Sequence, residues 1–280
     1  MLLTGLCSIS FRKLTPAELA VLAAKAGIDG IEWGGDVHVP HGNVAVARAV
    51  RTLTVDAGLR ISSYGSYYRA GESEKEGLSF ADVLKTAKTL EAPCIRVWCG
   101  NKGSADADAE YRDAVCRDLD RIGELAGTEG VTVACEYHGH TLTDTLESAQ
   151  TMFGALNNPN VFPYWQPPGG KTIEACIGEL RTWLPTLANL HVFFWRDIGG
   201  KRERCPLIQG AELWQPTIQL AATTGRTHWA LLEFFLNDSP DQFLQDAAVL
   251  RDWTKAANAA RAGTGSPPVH KPGGASCASR

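Results

Sequence analysis

The stretch VTVACEYHGHT, residues 131–141, joins a strand-like run to polar side chains. Its first half is apolar and rich in β-branched residues, which is typical of a strand covered on both faces. The run stops at Glu136, and His138 and His140 follow directly. Because such a strand should end at a loop, a carboxylate and two imidazoles are expected where the strand meets that loop.

Segments of this kind alternate with helix-like segments along the rest of the chain. Their spacing predicts strands at residues 2–8, 30–33, 59–65, 93–100, 130–138, 160–166, 187–195 and 228–235. Helical segments are predicted between and after them, at residues 14–30, 43–57, 79–90, 106–126, 142–156, 173–180, 211–223 and 240–259. The first helix has clear boundary signals, with Thr15 as N-cap, Pro16 at the first helical position and Glu18 completing a capping box.

This alternation predicts the fold class. Strands separated by helices pair in parallel through right-handed crossovers, and about eight such units in about 260 residues suit a closed (β/α)8 TIM barrel. An open doubly wound sheet is the alternative, but it usually has a glycine-rich turn after its first strand. The corresponding segment here, CSISFRKL at residues 7–14, contains no glycine. We therefore predict one barrel domain over residues 1–261 and a flexible tail, rich in Gly, Pro and Ser, over residues 262–280.

Composition argues against several classes of protein. The chain of 280 residues has 27 Lys and Arg against 31 Asp and Glu, a net charge of −4, so neither a nucleic-acid partner nor an anionic membrane surface is expected. No apolar run reaches the roughly 18 residues of a membrane span, and the first residues do not resemble a signal peptide. The eight cysteines form no CxxC pair, which indicates free thiols and a cytoplasmic location.

The ends of the last four predicted barrel strands carry a set of possible metal ligands. In a TIM barrel the active site lies at the carboxyl ends of the strands. Glu136, Gln166, His191 and Glu233 occupy these ends on strands five to eight. Together they offer oxygen and nitrogen donors for a divalent cation such as Mn²⁺, Mg²⁺, Co²⁺ or Zn²⁺. Singly, each also fits a structural role, as a solvated or ion-paired carboxylate or a core histidine, so the prediction depends on their convergence.

Other side chains near the strand ends are predicted to contact a substrate. The aromatic ones fit either the walls of a sugar site or the core, and the charged ones fit an acid or a substrate clamp. The predicted substrate-binding residues are Glu32, Trp33, His38, Tyr64, Arg96, Trp98, His138, Trp165 and Arg196.

The order Glu, Gln, His, Glu and the segment GIDGIEWGGDVHVPHG, residues 27–42, resemble the xylose isomerase-like TIM barrels over roughly residues 1–260. This superfamily includes sugar epimerases, inosose dehydratases and endonuclease IV. In the epimerase and dehydratase branches, the resemblance implies metal ligands Glu, Asp, His and Glu. Three of them fall on Glu136, His191 and Glu233, whereas the Asp position is Gln166. A second histidine, frequent three residues after that Asp, is replaced by Gly169. The neutral amide of Gln166 should lower the affinity for a metal. The missing histidine at Gly169 weakens the transfer of any particular substrate from the family to this chain.

The resemblance implies an enzyme that acts on a small carbohydrate, polyol or keto-sugar. A cation would polarise a carbonyl, and Glu136 and Glu233 would act as catalytic acid and base on the neighbouring carbon, giving isomerisation or epimerisation. If a leaving group lies β to that carbon, the same site eliminates it, so a lyase or dehydratase is the alternative. Two other classes of protein are also considered.

Phosphodiester cleavage is disfavoured, because it needs more metal ligands and a basic surface. A non-catalytic, metal-free barrel is a further alternative, and its best support is the presence of Gln166 and Gly169. The possibility of a homo-oligomer stays open.

Overall fold

The structure, a computed structural model, describes residues 1–263. Its strands are β1 Leu2–Cys7, β2 Gly30–Gly34, β3 Arg60–Arg69, β4 Cys94–Trp98, β5 Thr132–Glu136, β6 Val161–Tyr164, β7 Leu190–Val192, β8 Trp195–Ile198, β9 Lys201–Arg204 and β10 His228–Leu232. Its helices are α1 Pro16–Ala26, α2 Val44–Asp56, α3 Phe80–Leu90, α4 Ala109–Thr128, α5 Leu146–Ala155, α6 Ile173–Trp183, α7 Ala211–Thr223 and α8 Pro240–Gly263.

Eight of these strands form one parallel sheet that curves into a barrel. The order is β6-β5-β4-β3-β2-β1-β10-β7, and a parallel bridge between Trp165 and Leu190 joins the two ends. At this seam the amide of Trp165 donates to the carbonyl of Asn189 at 3.0 Å, and the amide of His191 donates to the carbonyl of Trp165 at 3.0 Å. The predicted (β/α)8 TIM barrel is confirmed, and the open sheet is excluded.

The first helix begins as its sequence predicts. The amide of Thr15 donates to the carboxylate of Glu18 at 2.7 Å, and the amide of Glu18 donates to the hydroxyl of Thr15 at 3.3 Å. Pro16 occupies the first turn, where no amide hydrogen is needed. Local capping therefore fixes the entry of α1 independently of the barrel.

The core has two parts, one outside and one inside the barrel wall. The larger part packs the outer face of the strands against the helices. The smaller part lies inside the barrel, where it consists of Leu3, Cys94, Ala134, Tyr164, Trp229 and Leu231, with Ala188 packed against it. Three of these residues, Leu3, Cys94 and Trp229, lie in the first half of their strands, so apolar side chains fill the amino-terminal end of the interior. The polar site lies beyond these apolar residues, toward the carboxyl ends of the strands.

The seventh predicted strand needs a correction. Instead of covering residues 187–195, β7 stops at Val192, and the chain then forms an antiparallel hairpin of β8 and β9 that we did not predict. Gly199 and Gly200, with φ of 60° and 78°, form its two-residue turn. Positive φ at both positions is what a tight hairpin turn requires, so this Gly-Gly pair was the available signal.

Three further sequence predictions, on the tail, the cysteines and membrane spans, can be compared with the structure over residues 1–263. Helix α8 continues to Gly263, two residues into the expected tail, and the rest of the tail, residues 264–280, lies outside the described residues. All seven cysteines within residues 1–263 are free, and Cys277 lies beyond this range. None of the helices in that range has the length and apolar character that crossing a bilayer requires.

Candidate active site

Five ionisable side chains meet inside the barrel at the carboxyl ends of the strands. They are Glu32, Arg96, Glu136, His191 and Glu233, and none is more than 4% exposed. Successive residues of a strand point to opposite faces, so their neighbours Ile31, Cys135 and Leu232 pack in the outer core instead. The period of two thus places charge inside a barrel whose outer wall is apolar.

Arg96 bridges two of the carboxylates. Its Nε lies 2.8 Å from Oε1 of Glu32, and its Nη1 contacts Oε2 of Glu136. The indole of Trp98 also donates to Oε2 of Glu136, at 2.5 Å. Gly65 leaves room for this guanidinium, since a Cβ there would lie 2.6 Å from Nη2 of Arg96. One oxygen of Glu136 is therefore held by donors, and Oε1 is left to face His191.

Glu32 has a complete set of donors. Its Oε2 accepts from Ser63 at 2.7 Å and from Tyr164 at 2.6 Å, while Cys7 donates to Oε1 at 3.2 Å. Burial opposes ionisation of this carboxyl, but Arg96 and His191 outweigh it and hold the pKa of Glu32 well below its usual value. Glu32 is therefore a buried anion whose hydrogen bonds hold Arg96, Ser63 and Tyr164 in position.

His191 lies close to three carboxylates, those of Glu32, Glu136 and Glu233. Its Nδ1 is 3.2 Å from Oε1 of Glu136 and 3.5 Å from Oε2 of Glu233, and its Nε2 is 3.4 Å from Oε1 of Glu32. Donor atoms of Glu136, His191 and Glu233 all lie within 4.8 Å of one another. The structure thus brings together three of the four side chains that the sequence predicted as metal ligands.

The two cavity-lining glutamates differ in their affinity for a proton. Burial acts against ionisation of Glu136, yet Arg96, His191 and His138 lower its pKa to about 2. Burial raises the pKa of Glu233 to about 7, because the attraction of His191 is offset by the nearby charge of Glu136. Burial also disfavours the charged form of His191, but Glu233 and Glu32 raise its pKa well above the usual value. Negative charge therefore accumulates around one imidazole.

Unpaired polar atoms indicate that these residues fit a divalent cation. Within residues 1–263, neither ring nitrogen of His191 nor Oε2 of Glu233 forms a hydrogen bond, although all three atoms are buried. The same holds for Oε1 of Gln166, whose amide nitrogen donates to the carbonyl of Tyr137. Buried polar groups rarely lack partners. A cation held by Glu136, Nδ1 of His191 and Glu233, with the amide oxygen of Gln166, would satisfy three of these four atoms. The fourth, Nε2 of His191, faces Oε1 of Glu32 at 3.4 Å.

A cavity of about 560 Å³ opens above this cluster. Arg96, Glu136, Gln166 and Glu233 are part of its lining, and His191 is fully buried. On one side Trp98 stacks on His138 with ring centroids 4.4 Å apart. The cavity has the size of a small-molecule site, and it combines an aromatic wall with ionisable groups.

A family model for the xylose isomerase-like TIM barrel matches residues 20–253. This protein is a xylose isomerase-like TIM barrel. A curated relative, the 3-dehydroshikimate dehydratase of Bacillus anthracis, is 26% identical in an alignment that covers 88% of this chain and 95% of the relative.

Solved structures of xylose isomerase-like barrels superimpose on most of the chain. The probable 3-DHS dehydratase of Bacillus anthracis has a TM-score of 0.74 at 22% identity, over 90% of this chain and 99% of its own. A xylose isomerase-like TIM barrel protein from Mycobacterium smegmatis, in complex with magnesium, has a TM-score of 0.74 at 16% identity, over 91% and 97% of the two chains. At these identities the likeness establishes the fold.

Several predicted substrate-binding residues of this xylose isomerase-like barrel lie outside the cavity. Trp33, Tyr64 and Trp165 point away from the interior, because each is one residue from an inward-facing position. Trp33 donates to Thr54 of α2 at 3.0 Å, and Trp165 packs on Trp214 of α7 with ring centroids 6.1 Å apart. These three predictions of substrate contact are corrected, and the aromatic rings belong to the core.

The other predicted contact residues divide between the cavity and its surroundings. Arg96, Trp98 and His138 line it. Glu32 is fully buried and is not part of the lining. His38 is held in the core by Ser8 at 3.0 Å and by the carbonyl of Leu14 at 3.2 Å. Arg196 is exposed on β8, packs over Phe194 and lines a neighbouring cavity of about 450 Å³.

Sequence reasoning missed other residues of the site. Cys7 ends β1, and its thiol, Glu32 and His191 form a second group of donor atoms within 4.8 Å of one another. Tyr164, which contacts Glu32, is the residue before the predicted Trp165. Reading the inward positions at a period of two from Glu136 would have found Tyr164 through the β5–β6 register, in which Glu136 faces Tyr164. No local signal marks Arg202, which reaches the cavity from the unpredicted hairpin.

Proposed function

We propose that this protein is a divalent-metal-dependent lyase that eliminates water from a small polyhydroxylated carbonyl compound. The observation that carries the proposal is the convergence of Glu136, His191 and Glu233 on one centre beneath a polar cavity. The 26% identity to a 3-dehydroshikimate dehydratase over nearly the whole chain supports elimination rather than another use of this site.

The chemistry begins with removal of a proton from the carbon beside a carbonyl. A divalent cation at this centre would polarise the carbonyl and, through its charge, keep Glu233 ionised. Glu233 is the freer of the two glutamates to act as the base, because its Oε2 has no hydrogen-bond partner within residues 1–263 whereas Oε2 of Glu136 is held by donors. Arg96 and Trp98 hold Glu136 in place, so its role is to orient the site.

Elimination then needs an acid for the leaving group. As the C–H bond breaks, its electron pair forms a carbon–carbon double bond, and the bond to the β-hydroxyl breaks. His138 lines the cavity on top of Trp98 and is placed to give that oxygen a proton, so that water leaves. The proton taken by Glu233 returns to solvent, and His138 is reprotonated from solvent, which balances the reaction.

Isomerisation or epimerisation is the second candidate. It is favoured by the presence of two glutamates, Glu136 and Glu233, whose oxygens lie 3.2 Å and 3.5 Å from Nδ1 of His191. A proton removed by one group and returned at another position gives isomerisation without loss of water. The two reactions share the first step and differ in their products.

One experiment tests the shared step and separates the two outcomes. The purified protein is loaded with Mn²⁺ and incubated in D₂O with 3-dehydroshikimate, a 3-keto sugar and a simple ketose, and the products are followed by NMR. Loss of water with a new double bond supports the lyase. Deuterium at carbon without loss of water supports the isomerase. Absence of both reactions on every compound, together with less than 0.1 metal per chain by elemental analysis, would favour a metal-free barrel, taking ~1 per chain as full occupancy.

A further inference from the structure

A glycine in the wall of the cavity makes room for an arginine from the hairpin. A Cβ on Gly169 would lie 2.8 Å from Nη1 and 3.1 Å from Cζ of Arg202. Both residues line the cavity above Glu136 and Glu233. The guanidinium of Arg202 therefore occupies the space that a side chain at position 169 would take, three residues along the chain from Gln166.

The hairpin holds this guanidinium against an aromatic ring. Arg202 lies over Trp195 at 5.1 Å from the ring centroid, and the two residues belong to the paired strands β9 and β8. Such stacking restricts the side chain while leaving its N–H groups free to donate. The indole nitrogen of Trp195 is itself buried and has no acceptor within residues 1–263. Two donor groups without acceptors thus lie together in one wall.

The other basic groups of the cavity already have acidic neighbours. Arg96 pairs with Glu32 and Glu136, Arg12 lies 2.9 Å from Asp36, and Lys171 lies 4.0 Å from Glu179. No carboxylate within residues 1–263 lies within ion-pair distance of Arg202. Asp197 is the cross-strand neighbour of Arg202, but its carboxylate accepts from the amide of Gly200 at 2.9 Å. The wall therefore offers one guanidinium without an ion-paired carboxylate within residues 1–263, and its single positive charge matches the single negative charge of a carboxylate.

We propose that Arg202, supported by Trp195, binds a carboxylate group of the substrate and makes this barrel selective for acidic polyols or keto-acids. This inference rests on the proposed function, because the carboxylate would hold the substrate with its carbonyl toward Glu233. A planar guanidinium can donate two parallel hydrogen bonds to a carboxylate. Arg202 is then a specificity-determining residue that acts by binding, and the carbon chemistry stays with the groups below it.

The test measures binding without turnover. The probes are 3,4-dihydroxybenzoate and 3,4-dihydroxybenzamide, which share vicinal oxygens and differ in one negative charge. Calorimetric titration of the Mn²⁺-loaded protein should show that the benzoate binds about 10-fold or more tightly than the benzamide. Arg202→Gln should weaken the benzoate about 10- to 100-fold and change the benzamide less than about 2-fold.

Two further variants separate binding from general effects. Gly169→Ala leaves Arg202 in the chain but intrudes on its position, so it should weaken the benzoate in the same direction. Lys201→Gln removes the same charge from the neighbouring, exposed position of the hairpin and should change neither probe. If Arg202→Gln weakens both probes equally, or if Lys201→Gln reproduces its effect, the proposal is overturned.

The outcomes for this inference and for the proposed function can be told apart. If the benzoate preference depends on Arg202 but no carbonyl compound reacts, the carboxylate site stands and the lyase fails. If a neutral ketose reacts as well as its acidic counterpart, and the wild-type protein shows no preference for the benzoate, the lyase stands and the carboxylate site fails. Failure of the wild-type protein to bind the benzoate at all would also overturn the inference.

Discussion

Replacing Arg96 with methionine should destabilise the metal-free protein strongly. Arg96 is 1% exposed and pairs with Glu32 and Glu136, which are 0% and 4% exposed. Methionine keeps much of the side-chain length but removes the charge, so two buried carboxylates lose their compensation. Breaking a buried ion pair in this way costs about 3–5 kcal/mol. With an unfolding entropy of about 2.1 cal/mol/K per residue, the 263 described residues give about 0.55 kcal/mol per kelvin. The expected fall in Tm is about 5–9 °C.

The assay is thermal unfolding by circular dichroism, with a chelator present because a bound cation would also compensate the carboxylates. The matched control is the double variant Arg96→Met with Glu32→Gln, which removes one of the two uncompensated charges. It should recover a large part of the lost Tm. Glu32→Gln alone should also lower Tm, because it leaves the guanidinium without one of its partners.

The pH dependence of the loss gives a second test. In the wild-type protein the pKa of Glu32 lies well below its usual value, so its favourable contribution is fully present at pH 7.5 and at pH 5.5. Without Arg96, burial is opposed only by His191 and the hydrogen bonds of Glu32, so the pKa of Glu32 should rise and protonation at lower pH should relieve part of the cost. The Tm difference between wild type and Arg96→Met should therefore shrink as the pH falls from 7.5 to 5.5. An unchanged Tm, or a loss that is equal at both pH values, would refute this reasoning.

Three other predictions concern the site and its surroundings. Glu233→Gln removes the proposed base and should lower turnover of the true substrate by about 10²–10⁴-fold, measured by NMR; wild-type turnover in this variant would contradict its assignment as the base. Glu136→Gln should also lower turnover, because Glu136 orients the site and is a proposed metal ligand. Gln166→Asp adds a negative charge to the ligand set and should tighten Mn²⁺ binding about 10-fold or more in a calorimetric titration, whereas Gln166→Ala should weaken it. Burial lowers the pKa of His228 to about 4, so stability should fall by about 3 kcal/mol as the pH drops from 6.5 to 4. Denaturant titrations of His228→Asn should show a smaller loss over that range.

Local sequence signals were sufficient for the fold. The capping box at Thr15, the alternation of apolar runs with helical segments and the missing glycine-rich turn after β1 pointed to a barrel, because each depends on short-range chemistry. The hairpin after β7 was missed although Gly199 and Gly200 signal a tight turn. An apolar run through Phe194 and Trp195 looked like a continued strand, but the chain leaves the barrel sheet after Val192 and pairs with itself as β8 and β9.

The sequence predicted part of the candidate site, and the tertiary structure decided the rest. The carboxyl ends of parallel strands lie at the same rim of the barrel, so the sequence by itself placed Glu136, His191 and Glu233 at one end of the barrel. It did not determine which face each aromatic neighbour occupies, because a shift of one residue reverses a strand's faces and Trp165 and Tyr164 fit either side. Nor could it show that Arg96 joins Glu32 to Glu136, since those partners are 64 and 40 residues away. Pairing of strands β2 to β5 in one curved sheet brings such distant charges into contact, and the separate hairpin of β8 and β9 sets Arg202 against Gly169.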